Sequence, residues 1–333
     1  MNRLKIALLA GGDSSEREIA LNSAAQIKEA LGDSKYDITL IDVHHREWSY
    51  TTPSGERYLV DKNDFSLTIN GEKTIFDYAL IIIHGTPGED GKLQGYLEMM
   101  EIPFSSCSMT SSVITFDKLS TKRAVAGCGV ALAKEIFLHR GESVDSAKLI
   151  EELGLPMFIK PNASGSSFGV SKVESEGEIS AALELAFSES DEVLIEEAIV
   201  GREMGCGVMI TADKEYILPI TEIRPKGDTF FSTEAKYTAG ASEEITPAPI
   251  TEEIKLALNN ATRAVYKACR CRGVVRVDFI VTDAGIPYMI EVNSIPGMSS
   301  GSLIPQQIRA TGMSVGEFFT IAIDDTYKSQ QRV

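Results

Sequence analysis

The chain has 333 residues, with 32 Lys and Arg against 48 Asp and Glu, a formal net charge of −16. That balance excludes the clustered positive charge that duplex nucleic acid requires, and it disfavours an anionic membrane surface. No apolar run approaches the roughly 20 residues of a spanning helix, and 43% hydrophobic content is ordinary for a globular chain long enough for about two domains.

The chain opens on an apolar strand over residues 4–10 that stops at Gly11-Gly12, too short for a signal-peptide core. Gly11 to Ser15 is a turn with capping residues, and a helix is expected over 16–31. Strands follow at 37–43 and 78–83, the second nearly all apolar, as in a parallel strand covered on both faces, so the first third reads as a βαβ pattern. Helices are expected at 117–127 and 146–153, a strand at 156–160, a small-residue loop from Asn162 to Gly169, a helix at 178–187 and a strand at 192–197. The last third carries strands at 203–210, 216–223 and 274–281 and a long helix at 252–271. Pattern changes near 115 and 200 divide the chain into 1–115, 116–200 and 201–333. The five cysteines are scattered and odd in number, which reads as free thiols in a reducing compartment. The four histidines form no spaced metal-binding pattern.

The richest local geometry lies at 274–293. Two alternating strands flank a turn at Thr282-Asp283-Ala284-Gly285. A hairpin symmetric about that turn sets Asp278 opposite Glu291 and Arg276 opposite Asn293, all on one face. The other face then carries Val277, Phe279, Val281, Ile290 and Val292 as core. Opposed Cβ atoms lie roughly 5 Å apart, so two carboxylates there repel unless a cation sits between them. A hard divalent ion such as Mg²⁺ suits oxygen donors of this kind, with Asn293 adding a carbonyl oxygen and Arg276 a fixed positive charge for an anionic intermediate. Spacing alone leaves a solvated polar face equally open.

Three further segments have loop chemistry. Lys160-Pro161 leads into Asn162–Gly169, whose glycines and serines suit phosphate oxygens, although the lysine precedes the glycines and no Walker A motif closes the loop. His84-Gly85 to Gly91 follows an apolar strand, where open α/β sheets bind ligands. Pro296-Gly297 follows the hairpin, and Gly297 can present its N–H to an oxyanion. Each segment alone also reads as an ordinary loop or turn.

Their order along the chain is far more specific. Gly11-Gly12 with Ser14-Ser15-Glu16, His84-Gly85 through Glu89-Asp90-Gly91, and Asp117-Lys118 with Lys122 come first. Lys160-Pro161 with Gly165-Ser166-Ser167, Glu234-Ala235-Lys236-Tyr237, Arg276, Asp278, Glu291-Val292-Asn293 and Pro296-Gly297-Met298 with Ser302-Leu303 follow. This set resembles the D-alanine–D-alanine ligases of the ATP-grasp superfamily over nearly the whole chain.

The resemblance implies an α/β fold, α+β in its ATP-grasp part. The expected architecture has three domains: an N-terminal open parallel sheet domain (1–115), a central ATP-grasp subdomain (116–200) and a C-terminal catalytic subdomain (201–333). It implies ATP-dependent joining of two D-alanines through an acyl phosphate, for peptidoglycan precursors, in a bacterial cytoplasm, by a possible homodimer with no nucleic-acid or membrane partner. By the same resemblance, Lys118, Lys160 and Lys236 contact ATP phosphates and Ser166 and Ser167 cover them. Glu196, Glu197, Ile199 and Glu203 lie where adenine and ribose bind. Asp278, Glu291 and Asn293 hold two Mg²⁺, with Mn²⁺ as a substitute. Arg276 and the Gly297 N–H form the oxyanion site. Glu16, positioned with Ser166 and Tyr237, takes the ammonium of the first alanine, and His84 lies near its carboxylate. Ser302 and Leu303 take the carboxylate of the second alanine. The sequence departs from the family at Phe230-Phe231-Ser232-Thr233, in a closing loop that usually carries tyrosine and aspartate. Siblings that use D-lactate or D-serine as second substrate are the alternative. A nucleotide-binding protein without catalysis predicts damage at Arg276, Asp278, Glu291, Asn293 or Lys236, and all five are intact. A periplasmic amino-acid binder requires an export signal, and none is read.

Overall fold

The computed structural model describes residues 3–32, 35–163, 168–225 and 242–331. Its strands form three sheets. In the first, β1 (Leu4–Gly11) lies between β2 (Tyr36–His44) and β7 (Tyr78–Ile81), parallel to both. Buried Ile6, Leu8 and Ala10 on one face and Ala7 and Leu9 on the other explain the unbroken apolar run of β1. An antiparallel meander not read from the sequence extends this parallel centre: β3 (Glu47–Thr51), β4 (Arg57–Asp61), β5 (Ser66–Ile69) and β6 (Glu72–Ile75). Its strands are short and mostly half-exposed, which weakens the period-two signal. Helix α1 (Arg17–Leu31) covers one face, and α2 (Lys92–Met99) lies against the other through Leu93 and Leu97.

Two helices follow where one was expected. α3 (Met109–Phe116) and α4 (Lys118–Val125) meet at Asp117. Asp117 is extended (ψ 112°), so it ends α3 and caps α4 by accepting the Ser120 N–H. The second sheet is antiparallel, in the order β11-β10-β12-β9. Its strands are β9 (Glu135–His139), β10 (Met157–Pro161), β11 (Ser171–Val173) and β12 (Glu192–Glu197), and it packs on α5 (Ser146–Leu153) and α6 (Ile179–Glu189). The short β8 (Ala131–Leu132) instead joins the third sheet, where it pairs with β18 (Pro287–Asn293). That sheet continues through β17 (Val275–Val281), β13 (Arg202–Ile210), β15 (Thr221–Pro225) and β16 (Ser242–Ile245), while β14 (Glu215–Ile217) also pairs with β13. The strand expected at 216–223 is thus two pieces. Pro219, without an N–H, falls in the break.

Helix α7 (Glu252–Ala268) covers one face of the third sheet with Leu258, Ala261 and Val265, and α8 (Leu303–Ala310) lies over β13. The last helix, α9 (Val315–Gln330), moves the expected domain limits. Its Phe318, Phe319, Ala322 and Ile323 share a core with Ile6, Leu8 and Ile27 of the first sheet and α1. Tyr78 and Thr326 hydroxyls meet at 2.6 Å, and the Gln330 side chain bonds both backbone groups of Phe104. The unit expected at 201–333 is therefore not closed in space. Its end buries the apolar face of the N-terminal sheet, and β8, expected in the central unit, belongs to the C-terminal sheet.

Candidate active site

Antiparallel β17 and β18 pair Arg276 with Asn293 and Asp278 with Glu291, the expected register. A bulge follows between Asp278 and Phe279, so Phe279 pairs with Met289. One side of the hairpin therefore changes. Met289 is buried in the core, while Ile290, expected there, is only half-buried and lines a cleft.

That cleft encloses about 1030 Å³, partly open to solvent, between the central and C-terminal sheets. Phe158, Lys160, Glu196 and Glu197 come from the central sheet, Glu203, Asp278, Ile280 and Glu291 from the C-terminal one, Lys118 from the start of α4 and Ile199 from the link between β12 and β13. Apolar walls with a few convergent charges are the usual make-up of a small-molecule site. All six cleft residues expected near a nucleotide and lying among the described residues, Lys118, Lys160, Glu196, Glu197, Ile199 and Glu203, thus line one space.

Two positioning groups were not assigned from the sequence. Lys122 is buried, and its ammonium meets Glu196 at 2.7 Å, Glu135 at 2.9 Å and the Ala133 carbonyl at 2.7 Å. Lys160 pairs with the other oxygen of Glu196. Burial alone raises the Glu196 pKa, but the Lys160 and Lys122 charges outweigh it and hold the carboxyl below its ordinary value. Glu196, expected among adenine and ribose contacts, therefore has both oxygens engaged by lysines. Buried Asn162 is the second group. Its carbonyls accept the Lys118 and Leu119 N–H groups, and its amide donates to Asp117 at 2.6 Å. This fixes the start of α4, and so Lys118, against the end of β10 next to Lys160.

At the metal-type cluster, Arg276 grips both oxygens of Asp278 at 2.8 and 2.9 Å, and the Asn293 amide donates to the same carboxylate at 3.0 Å. Burial lowers the Arg276 pKa, yet Asp278 and Glu291 more than reverse this and keep the guanidinium charged. The donor set fits Mg²⁺ or Mn²⁺: two carboxylates in opposed register, with the Asn293 carbonyl oxygen left over by its amide bond.

The residues expected on the substrate side come from the first sheet and from the segment after β18. Glu16 stands at the start of α1, and His84 is buried after β7. His84 Nδ1 meets the Ile295 carbonyl at 3.0 Å, and Nε2 is a buried nitrogen without a partner among the described residues. Burial lowers the His84 pKa, with Glu16 raising it and Arg276 lowering it, so the buried ring senses both charges. Glu89, quoted in the motif without a role, joins the halves: it accepts the Gly85 N–H at 2.8 Å and the Ile295 N–H at 3.3 Å. Burial, then the Glu16 charge, push its carboxyl up to about 8, against the pull of those N–H donors. Gly297 lies close to Ser302, whose Oγ would stand 2.8 Å from a Cβ placed there. Ser302 begins α8 and shares a 2.8 Å contact with the Ser299 hydroxyl, while Leu303 is buried against Gly205 of β13. Ser166, Ser167, Lys236 and Tyr237, and the departure at 230–233, lie outside the described residues.

The family models for the N-terminal and C-terminal parts of D-Ala–D-Ala ligase match residues 5–107 and 125–324. A D-alanine–D-alanine ligase of Bacteroides fragilis is 42% identical over 322 residues, 97% of this chain and 99% of that one. Among solved structures, a D-Ala:D-Ser ligase of Enterococcus faecalis aligns with a TM-score of 0.87 at 32% identity, covering 98% of this chain and 100% of that one. A D-alanine–D-alanine ligase of Bacillus anthracis complexed with ATP aligns at 0.79 and 30% identity, over 99% of both chains. With a cleft between two sheets, an acidic hairpin at its edge and full-length similarity of this degree, the chain belongs to the D-alanine–D-alanine ligase family.

Proposed function

We propose that this chain uses ATP to join two D-alanines into D-alanyl-D-alanine, with Mg²⁺ as its resident ion. One observation carries it: the cleft lysines, the Asp278–Glu291 pair, Arg276 and the Glu16–His84 loops converge from three sheets. The first alanine's carboxylate oxygen attacks the γ-phosphorus of ATP and ADP leaves. The second alanine's amine then attacks the acyl carbon, loses a proton, and phosphate departs with the C–O bond electrons.

The chain's own groups divide this work. Lys118 and Lys160 hold phosphate oxygens as point charges, and Glu203, Glu197 and Ile199 face the nucleoside. Ser166, Ser167 and Lys236 are proposed to complete the phosphate cradle. Asp278, Glu291 and Asn293 would hold Mg²⁺, which supplies charge neutralisation at the phosphates. Arg276 and the Gly297 N–H stabilise the oxyanion. Glu16, with Ser166 and Tyr237, orients the first ammonium, His84 the first carboxylate, and Ser302 and Leu303 the second carboxylate. A homodimer and a cytoplasmic setting accompany this proposal. Among the described residues, no helix is long and apolar enough to cross a membrane.

The test is incubation with ATP, Mg²⁺ and D-alanine, with D-serine and D-lactate in parallel arms, following phosphate release and identifying the product. Formation of D-alanyl-D-alanine in preference to the mixed products is expected. No D-alanine-dependent ADP formation refutes the ligase function, and preference for a mixed product reassigns the second substrate.

A further inference from the structure

The carboxyl ends of β1 and β2 carry a group of side chains that the ligation does not use. Parallel pairing sets Gly11 beside Val43, and the Gly12 N–H donates to the Val43 carbonyl at 2.7 Å. Gly11 has φ +93°, and a Cβ there would press on Arg17, Asp42 and the Val43 carbonyl within 2.7 Å, so only glycine lets the two ends approach. The approach brings Asp13 to His44 and His45. The His45 N–H donates to Asp13 Oδ1 at 2.5 Å, and His45 Nδ1 stands 3.3 Å from the same oxygen. The two imidazoles are tilted 37° to each other with ring centroids 4.4 Å apart. His45 adopts φ +50°, a left-handed conformation uncommon for a residue with a side chain. One ligand atom from each of the three lies within 4.8 Å of the other two.

We infer that Asp13, His44 and His45 form a second metal site, for a divalent transition-metal ion of the zinc class. Two ligands at zinc bond lengths of about 2.0–2.2 Å and a tetrahedral angle lie roughly 3.3–3.6 Å apart, and the Asp13–His45 pair already has that spacing. His44 is exposed at the strand end, so a rotamer change brings in its nitrogen. Two imidazoles and one carboxylate select zinc, cobalt, nickel or copper over magnesium, which prefers oxygen alone. Water fills the remaining positions. The Arg17 guanidinium is held by Asp42 at 2.6 Å. Asp13 also opens the loop that leads to Glu16, and its N–H is held by the Thr86 carbonyl at 2.9 Å. An ion bound here ties that loop to β2.

The test is equilibrium dialysis of the full chain against Zn²⁺ in excess Mg²⁺, which keeps the Asp278–Glu291 oxygens occupied. Absorption of the Co²⁺-loaded protein then distinguishes nitrogen–oxygen from thiolate ligation. One equivalent of Zn²⁺ is expected. His44→Gln and His45→Asn should each weaken it at least about tenfold, the lower end for loss of even an outer-shell partner. Asparagine tolerates the left-handed backbone, so His45→Asn tests the ligand and not the fold. Unchanged affinity in both variants, or a thiolate charge-transfer band placing the ion on Cys128 or Cys271, overturns the site.

Discussion

Glu196 and Glu291 are both carboxylates at the cleft, and their surroundings give them different work. Glu196 is fenced by Lys122 and Lys160, so its charge is spent holding two ammonium groups in place. Lys122→Met leaves one oxygen of Glu196 without its partner and Glu135 with only Arg123 at 3.7 Å. Breaking a buried pair costs up to about 3–5 kcal/mol, and because Lys160 then loses its fixed anchor, KM for ATP should rise as well. Urea denaturation and ATP titration check the two effects, and an unchanged KM would confine Lys122 to a structural role. Glu291 sits opposite Asp278, which Arg276 already neutralises. Glu291→Gln keeps the volume and removes the charge. Turnover should fall by at least about 100-fold, the upper end for lesser changes around a bound metal, and the Mg²⁺ needed for half-activity should rise. Near-normal turnover would refute the metal assignment.

At the scale of elements, the differences from the sequence pattern have local causes. The helix expected at 117–127 is α4, and α3 before it was not read; extended Asp117 ends the one and caps the other. The β-branched run of α3 hid its helicity; buried Ser111 and Thr115 there bond backbone carbonyls. A bulge after Asp278 moved Ile290 from core to cleft, which alternation by twos cannot foresee. The turn between α7 and β17 is set by Gly273, with φ +72° and a would-be Cβ 2.2 Å from the Ser105 carbonyl. Gly273→Ala therefore meets both a left-handed backbone and an immovable neighbour. A loss of about 2–4 kcal/mol is expected from the two together, measured by chemical denaturation. A loss below about 1 kcal/mol, the ordinary helix-interior difference between these residues, would show that the turn relaxes freely.

Across the whole molecule, Glu89 ties the N-terminal sheet to the loop after β18 through the Gly85 and Ile295 N–H groups. With its carboxyl pushed up to about 8 from an ordinary 4.5, the folded chain holds a proton that the unfolded chain releases. The stability this adds is complete below the ordinary value and is lost as pH rises through about 8. Glu89→Gln removes the titration, so the melting temperature of the native protein should fall relative to that of the variant over this window. Parallel pH profiles for the two proteins would show Glu89 ionised throughout. The net charge of −16 takes on a local meaning at this scale. Lys118 and Lys160 line one cleft, and in the proposed function they attract the nucleotide locally, with no help from the long-range field. The sequence by itself determined the βαβ start, the carboxylate register of the hairpin and the ordered motifs that mark the family, because these depend on short-range periodicity and residue type. Only the tertiary structure decided that α9 covers the N-terminal sheet, that Lys122 and Asn162 position the cleft lysines, and that Asp13 meets two histidines. Those pairings join residues far apart in the chain, and the packing of apolar faces chooses them; no local pattern records it.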